Sequence, residues 1–133
     1  PRDAERAVEL GVDGLFVTNH GGRQIDALPT SIDALPAIRS AVGKKAQIIL
    51  DSGVRSGVDV ARAIACGADA AFAGKSFLWS LGALGPKGPA HLLRIYTDEL
   101  RATLGQLGCR NVDELRSVKT RHPNAWRLED FAG

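Results

Sequence analysis

Apolar positions along this chain follow two periods. Over residues 2–10, Ala4, Ala7 and Val8 fall on one helical face, and Gly11 follows as a left-handed stop. Short, nearly continuous apolar runs then recur: GLFVT at 14–18, QIILD at 47–51 and AAFAG at 70–74. Runs of this length between glycine-rich turns read as buried strands. Pro29-Thr30-Ser31 is a helix entry signal, and the pattern continues helically to about Val42. A third helix is expected from about Val58 to Cys66, stopped at Gly67. Beyond the third strand the chain reads as helical: a short segment at 77–81, a long one at 89–107, and a short one capped by Asn111.

Strands alternating with helices predict βα units on a parallel sheet. An internal echo supports the unit. Ala7-Val8 and Ala63-Ile64 each precede Gly-x-Asp, at Gly11-Val12-Asp13 and Gly67-Ala68-Asp69, with Phe16 and Phe72 in the following strands. Asp13 and Asp69 are read as turn residues that satisfy backbone, not as catalysts. Three βα units followed by extra helices fit the last part of a TIM (β/α)8 barrel, in which ~250 residues supply eight units. The expectation is therefore one C-terminal part of a single barrel domain over 1–133, with about half the protein elsewhere. The chain opens at Pro1 inside a helical pattern, which agrees with a missing start. A doubly wound sheet is the alternative; the G-x-G-x-x-G that would favour it is absent after the first strand.

Composition narrows the classes without naming a chemistry. Apolar residues form 44% of the chain, enough for a core, and the net charge is only +2. Basic residues are scattered, with no run longer than Lys44-Lys45, so a nucleic-acid surface is not expected. Cys66 and Cys109 have neither CxxC nor Cys/His metal spacing and are read as reduced thiols, with no metal site. No apolar run approaches the ~18 residues of a membrane span. These features predict a cytoplasmic protein, free or peripheral at a membrane.

The chemistry concentrates in the loops that follow the strands, the active-site face of such a barrel. The first loop is Asn19-His20-Gly21-Gly22-Arg23-Gln24, the second Asp51-Ser52-Gly53-Val54-Arg55-Ser56-Gly57, and the third Gly74-Lys75-Ser76. In the last two, glycines let backbone N–H groups approach an anion, helix N-termini follow, and Arg55 and Lys75 add charge: a split phosphate site. In the first, His20 ends a strand, low glycines admit a ligand, and Arg23 has the planar fork that grips a carboxylate. His91 and His122 lack such company and are read as surface residues.

The string VTNHGGRQID followed by ILDSGVRSGVDVARAIACGADAAFAGK resembles the C-terminal half of the FMN-dependent 2-hydroxy-acid-oxidising enzymes. That family includes glycolate oxidase, L-lactate oxidase and dehydrogenase, lactate monooxygenase, mandelate dehydrogenase and flavocytochrome b2. The resemblance runs from Arg2 to about Trp126. It implies oxidation of an (S)-2-hydroxy acid to a 2-oxo acid, with His20 as active-site base and Arg23 on the substrate carboxylate. It places Thr18 against the flavin, and Asp51, Ser52, Gly53, Arg55, Gly74 and Lys75 in the FMN ribityl and phosphate segment.

Two positions depart from the commoner pattern. Lys75 stands where arginine is usual, keeping the charge and losing the fork. Ser52 stands where many members have glycine and others serine, a difference of small expected consequence. The family's lysine near flavin N1, its substrate tyrosines and the aspartate that orients the histidine belong to the N-terminal half, outside this sequence. The resemblance also implies a tetramer, with oxygen, a quinone or a cytochrome as electron acceptor. Rival readings are another FMN- or phosphate-binding barrel oxidoreductase, which needs neither His20 nor Arg23, and a non-catalytic truncated half-barrel.

Overall fold

The structure is a computed structural model that describes residues 1–120. His122 and the end of the resemblance at Trp126 lie outside the described residues. Helix α1 (Arg2–Glu9) leads into β1 (Gly14–Val17), and a 3-10 turn at His20–Gly22 precedes α2 (Ser31–Val42). Then come β2 (Gln47–Leu50), α3 (Gly57–Ala65), β3 (Ala70–Ala71), α4 (Lys75–Leu84) and α5 (Gly88–Leu107). A 3-10 segment at Val112–Ser117 ends the described chain, with Asn111 as its cap.

The strands form one parallel sheet in the order β1-β2-β3, with Gly14 opposite Gln47 and Ile49 opposite Ala70. Strand alternation sends Val17, Ile48 and Leu50 to one face, where they meet Leu35 and Val42 of α2, Ala63 of α3 and Tyr96 of α5. Burying a side chain such as Leu35 or Ile48 contributes roughly 1.5–3 kcal/mol. The other face carries Phe16 and Phe72, edge-to-face with centroids 5.3 Å apart and both about half exposed. Among the described residues no helix covers that face.

Helix starts are set by local chemistry. Thr30 Oγ1 accepts the Asp33 N–H at 3.3 Å and opens α2, which then runs through the exposed Pro36. Ser56 and Asp59 cap α3 reciprocally, Oγ accepting the Asp59 N–H at 3.1 Å and donating to its carboxylate at 2.8 Å. Two close approaches require glycine. A Cβ on Gly57 would stand 2.3 Å from the Tyr96 carbonyl oxygen, and one on Gly88 would stand 1.9 Å from that of Ser80. These contacts seat α5 against α3 and α4, so the strand-end loops rest on a fixed base.

Two expected elements change by more than one residue. The third strand stops at Ala71 rather than Gly74, because β3 pairs with β2 only through Ala70 and Ala71. The short helix expected at 77–81 is a longer one beginning at Lys75. Asp69 does satisfy backbone, as its motif suggested, and it also joins elements. Its Oδ2 accepts the Ile48 N–H at 2.7 Å and pairs with Arg39, while Oδ1 pairs with Arg116 at 3.0 Å. Burial alone would raise this carboxyl's pKa. The Ile48 N–H and the two guanidiniums outweigh that and hold it below the ordinary carboxylate value.

Candidate active site

At the carboxyl ends of the strands, the three loops surround a cavity of about 430 Å³. His20 and Arg23 line it from the first loop, Asp51, Ser52 and Arg55 from the second, and Lys75 from the third. Gly53 and Gly74 line it too, and a Cβ at either would meet no atom within 4 Å, so both leave room for a ligand. Thr18 is not in this wall; it lines an adjoining hollow beneath β1 and α2. A larger hollow of about 770 Å³ lies at the opposite strand ends, but Arg39 and Arg116 in its wall are both paired with Asp69.

The first loop has an unusual backbone. His20, Gly21 and Gly22 take φ of +56°, +65° and +71°, three left-handed residues in succession. For a histidine that conformation costs roughly 1–2 kcal/mol, so neighbouring bonds must hold it. Thr18 Oγ1 accepts the His20 N–H at 3.0 Å and donates to Asp51 Oδ2 at 2.7 Å. Ser52 Oγ accepts the Gly21 N–H at 3.0 Å and donates to the same Oδ2 at 3.1 Å. One carboxylate oxygen thus fixes two hydroxyls, and the hydroxyls fix the loop that carries His20.

Ser52 therefore matters more than its position in the sequence pattern suggested. Its own φ is +81°, a glycine-like value, and its hydroxyl bridges the first two loops. A second bridge comes from Lys75, whose Nζ donates to the Gly21 carbonyl at 3.1 Å. Arg23 has no side-chain hydrogen-bond partner among the described residues and remains available to an anion.

The two anticipated phosphate loops differ in how their helices begin. At α3 three of the donors are taken: Arg55 N–H and Asp59 N–H belong to the Ser56–Asp59 cap, and Gly57 N–H donates to Glu99 Oε2 at 2.7 Å. At α4 the cap residue is Gly74, and no side chain caps the helix. Both helix N-termini offer a favourable dipole, and the α4 end, with no side chain on its first N–H groups, is the more open of the two to an anion. Arg55 comes from the other loop with its guanidinium unpaired by any carboxylate among the described residues, 5.7 Å from the centroid of the Trp79 ring.

Several functional neighbours escaped the sequence reading. Tyr96 Oη donates to Ser76 Oγ at 2.7 Å and lies 3.3 Å from the Val54 carbonyl, tying the second loop to the first turn of α4. Four-residue spacing with Leu92 and Leu100 is the signal that could have placed it on a buried face; nothing in the sequence points to the hydroxyl's partners. Asn19 Oδ1 and Ser31 Oγ, both in the cavity wall, are buried side-chain polar atoms without a partner among the described residues.

The site fits an elongated anionic cofactor. It has an uncapped helix N-terminus, an unpaired guanidinium, open glycines and polar walls at one end, with a histidine and a second free arginine at the other. Comparison with known proteins agrees. Residues 1–122 match the FMN-dependent dehydrogenase family. An L-lactate dehydrogenase of Bartonella tribocorum is 48% identical over 115 residues, 86% of this chain and 30% of that protein. The 2-hydroxyacid oxidase 1 of Mus musculus is 47% identical over 110 residues, 83% of this chain and 30% of that one. This chain thus spans about a third of the length of these curated relatives. A solved structure of mandelate oxidase with benzoyl-formic acid superposes with a TM-score of 0.87 at 40% identity, over 90% of this chain and 36% of that one. A mandelate oxidase mutant with a monooxide FMN adduct gives 0.86 at 40% identity, over 90% and 38%. The chain belongs to the FMN-dependent dehydrogenase family, whose cofactor is FMN.

Proposed function

We propose that this chain supplies the last three βα units of a (β/α)8 barrel that oxidises an (S)-2-hydroxy acid to a 2-oxo acid. The observation that carries the reading is the convergence of His20, Arg23, Arg55 and Lys75, from three consecutive strand ends, on one cavity. Relatives named for lactate, 2-hydroxy acids and mandelate support the substrate class. FMN, when bound, accepts the two electrons.

The residues divide by position. Arg55, the N-terminus of α4 and Lys75 hold the phosphate end of FMN. Asp51 Oδ2 is occupied by the Thr18 and Ser52 hydroxyls, so its Oδ1 remains for a cofactor hydroxyl. Arg23 binds the substrate carboxylate through two N–H donors and so sets the substrate's orientation. A ring nitrogen of His20 accepts the proton released as the substrate is oxidised. The left-handed His20–Gly22 turn, tied down by Thr18 and Ser52, keeps that imidazole at the cavity wall before substrate arrives. Oxygen, a quinone or a cytochrome takes the electrons onward, and the whole protein is a tetramer, cytoplasmic and free or peripheral at a membrane.

The test is His20→Gln in the whole protein, followed by anaerobic stopped-flow reduction with lactate, glycolate and mandelate in turn. FMN should stay bound while flavin reduction slows by at least ~10²-fold, the low end for lost general-base catalysis. Reduction at the wild-type rate with the preferred substrate would sink the assignment.

A further inference from the structure

We propose that Trp79 is a positioning residue for FMN binding: its indole face is the platform that aims the Arg55 guanidinium at the phosphate. This rests on the phosphate site proposed above and adds a residue that neither its charge nor the glycine motifs indicate.

The geometry begins with α4. Lys75 is its first residue and Trp79 follows four positions later, so both stand on one helix face, the indole a turn below the uncapped N-terminus. Leu78 beside it lines the cavity, which places this part of α4 at the site. Trp79 is 57% exposed, more than packing would ask of the largest apolar side chain. What meets it is Arg55, which reaches across from the second loop to lie 5.7 Å from the ring centroid.

The partner's chemistry matters as much as its position. A carboxylate beside Arg55 would fix the side chain equally well, but it would consume N–H donors and cancel the charge a phosphate needs. An aromatic face holds the cation through its quadrupole and leaves the in-plane N–H donors free. Among the described residues no acceptor is hydrogen-bonded to that guanidinium. The loop backbone is fixed separately, by the Arg55 N–H on Asp59 Oδ2 at 3.0 Å. Backbone and guanidinium are therefore both ordered before the ligand arrives, and the donors are left for it.

The experiment compares FMN with riboflavin, which lacks the phosphate, by titrating each into the whole protein stripped of cofactor. Trp79→Leu should weaken FMN by roughly 2- to 30-fold, the range of a cation–π contact from exposed to desolvated, and leave riboflavin affinity unchanged. Trp79→Phe should recover most of the loss. In an Arg55→Ala background Trp79→Leu should cost nothing further, because the ring then has no cation to hold. The proposal fails if Trp79→Leu binds FMN like the wild type, if it loses FMN and riboflavin alike, or if its effect persists undiminished without Arg55. Failure of the underlying site looks different: Arg55→Ala would then bind FMN normally. Apoprotein melts of each variant separate a lost contact from a lost fold.

Discussion

Ser52 carries two opposed effects in one side chain. Its φ of +81° favours glycine, while its hydroxyl holds the Gly21 N–H and so the turn that presents His20. In Ser52→Gly the relief of left-handed strain, about 1 kcal/mol, should offset much of the lost hydrogen bonding, and the melting temperature should change little. The Gly21 amide should exchange faster with solvent, and kcat/KM should fall. An amide as protected as in the wild type would show that the hydroxyl does not hold the loop. Arg23 is simpler. Arg23→Lys keeps the charge and loses the fork, so kcat/KM should drop roughly 10- to 100-fold, matching about 1.5–3 kcal/mol for a charged hydrogen bond, with FMN content normal. Wild-type kcat/KM on every 2-hydroxy acid tried would count against the carboxylate assignment. That His20, Arg23, Arg55 and Lys75 line one cavity could be anticipated from sequence, because each is a charged or titratable group in a glycine-containing loop after a strand. The role of Ser52 could not. Its partner lies 31 positions away, and a positive φ leaves no mark on a serine codon.

At the level of elements, sheet and helices are joined by charge as well as by apolar packing. Asp69, at the turn into β3, gathers the Ile48 N–H of β2, Arg39 of α2 and Arg116 of the final 3-10 segment. Because its pKa is held below the ordinary value, the unfolded chain takes up a proton first as pH falls. The clamp's contribution is then complete above about pH 4–5, and declines as pH drops through the usual carboxylate value near ~3.9 toward the lower folded one. Asp69→Asn should destabilise by about 1–2 kcal/mol at neutral pH, a modest figure because the carboxylate is part exposed. Below pH 4 the gap between variant and wild type should narrow. Denaturant melts of both at a series of pH values measure it, and a gap independent of pH would refute the linkage. The Gly-x-Asp echo made Asp69 legible as a turn residue. Its two arginines come from distant segments, so the clamp itself was hidden. The same limit explains α4: the AAFAG run suggested strand to Gly74, whereas pairing with β2 ends at Ala71 and releases Lys75 to begin a helix.

Over the described residues the molecule is an α/β layer with one face finished and one open. Helices cover Val17, Ile48 and Leu50, while Phe16 and Phe72 on the far face are 51% and 52% exposed and touch each other. In a closed barrel that face is interior, filled by side chains from the remaining strands. Here β1 and β3 are also the sheet's two edges, each with a row of backbone groups unpaired by any strand among the described residues. An apolar face bounded by open edges is a template for association. The 133-residue chain produced alone should therefore self-associate with rising concentration, bind a hydrophobic dye, and melt broadly, without catalysis or tight FMN binding. Sedimentation velocity across a concentration series, with a thermal melt on the same samples, decides the matter. Phe16→Ser together with Phe72→Ser should reduce the association, since those rings are the most exposed apolar groups on the face and neither belongs to the buried core. A chain that sediments as a monomer at every concentration and melts in one sharp transition would show that the three units are a finished domain, and the barrel reading of this chain would fall with it.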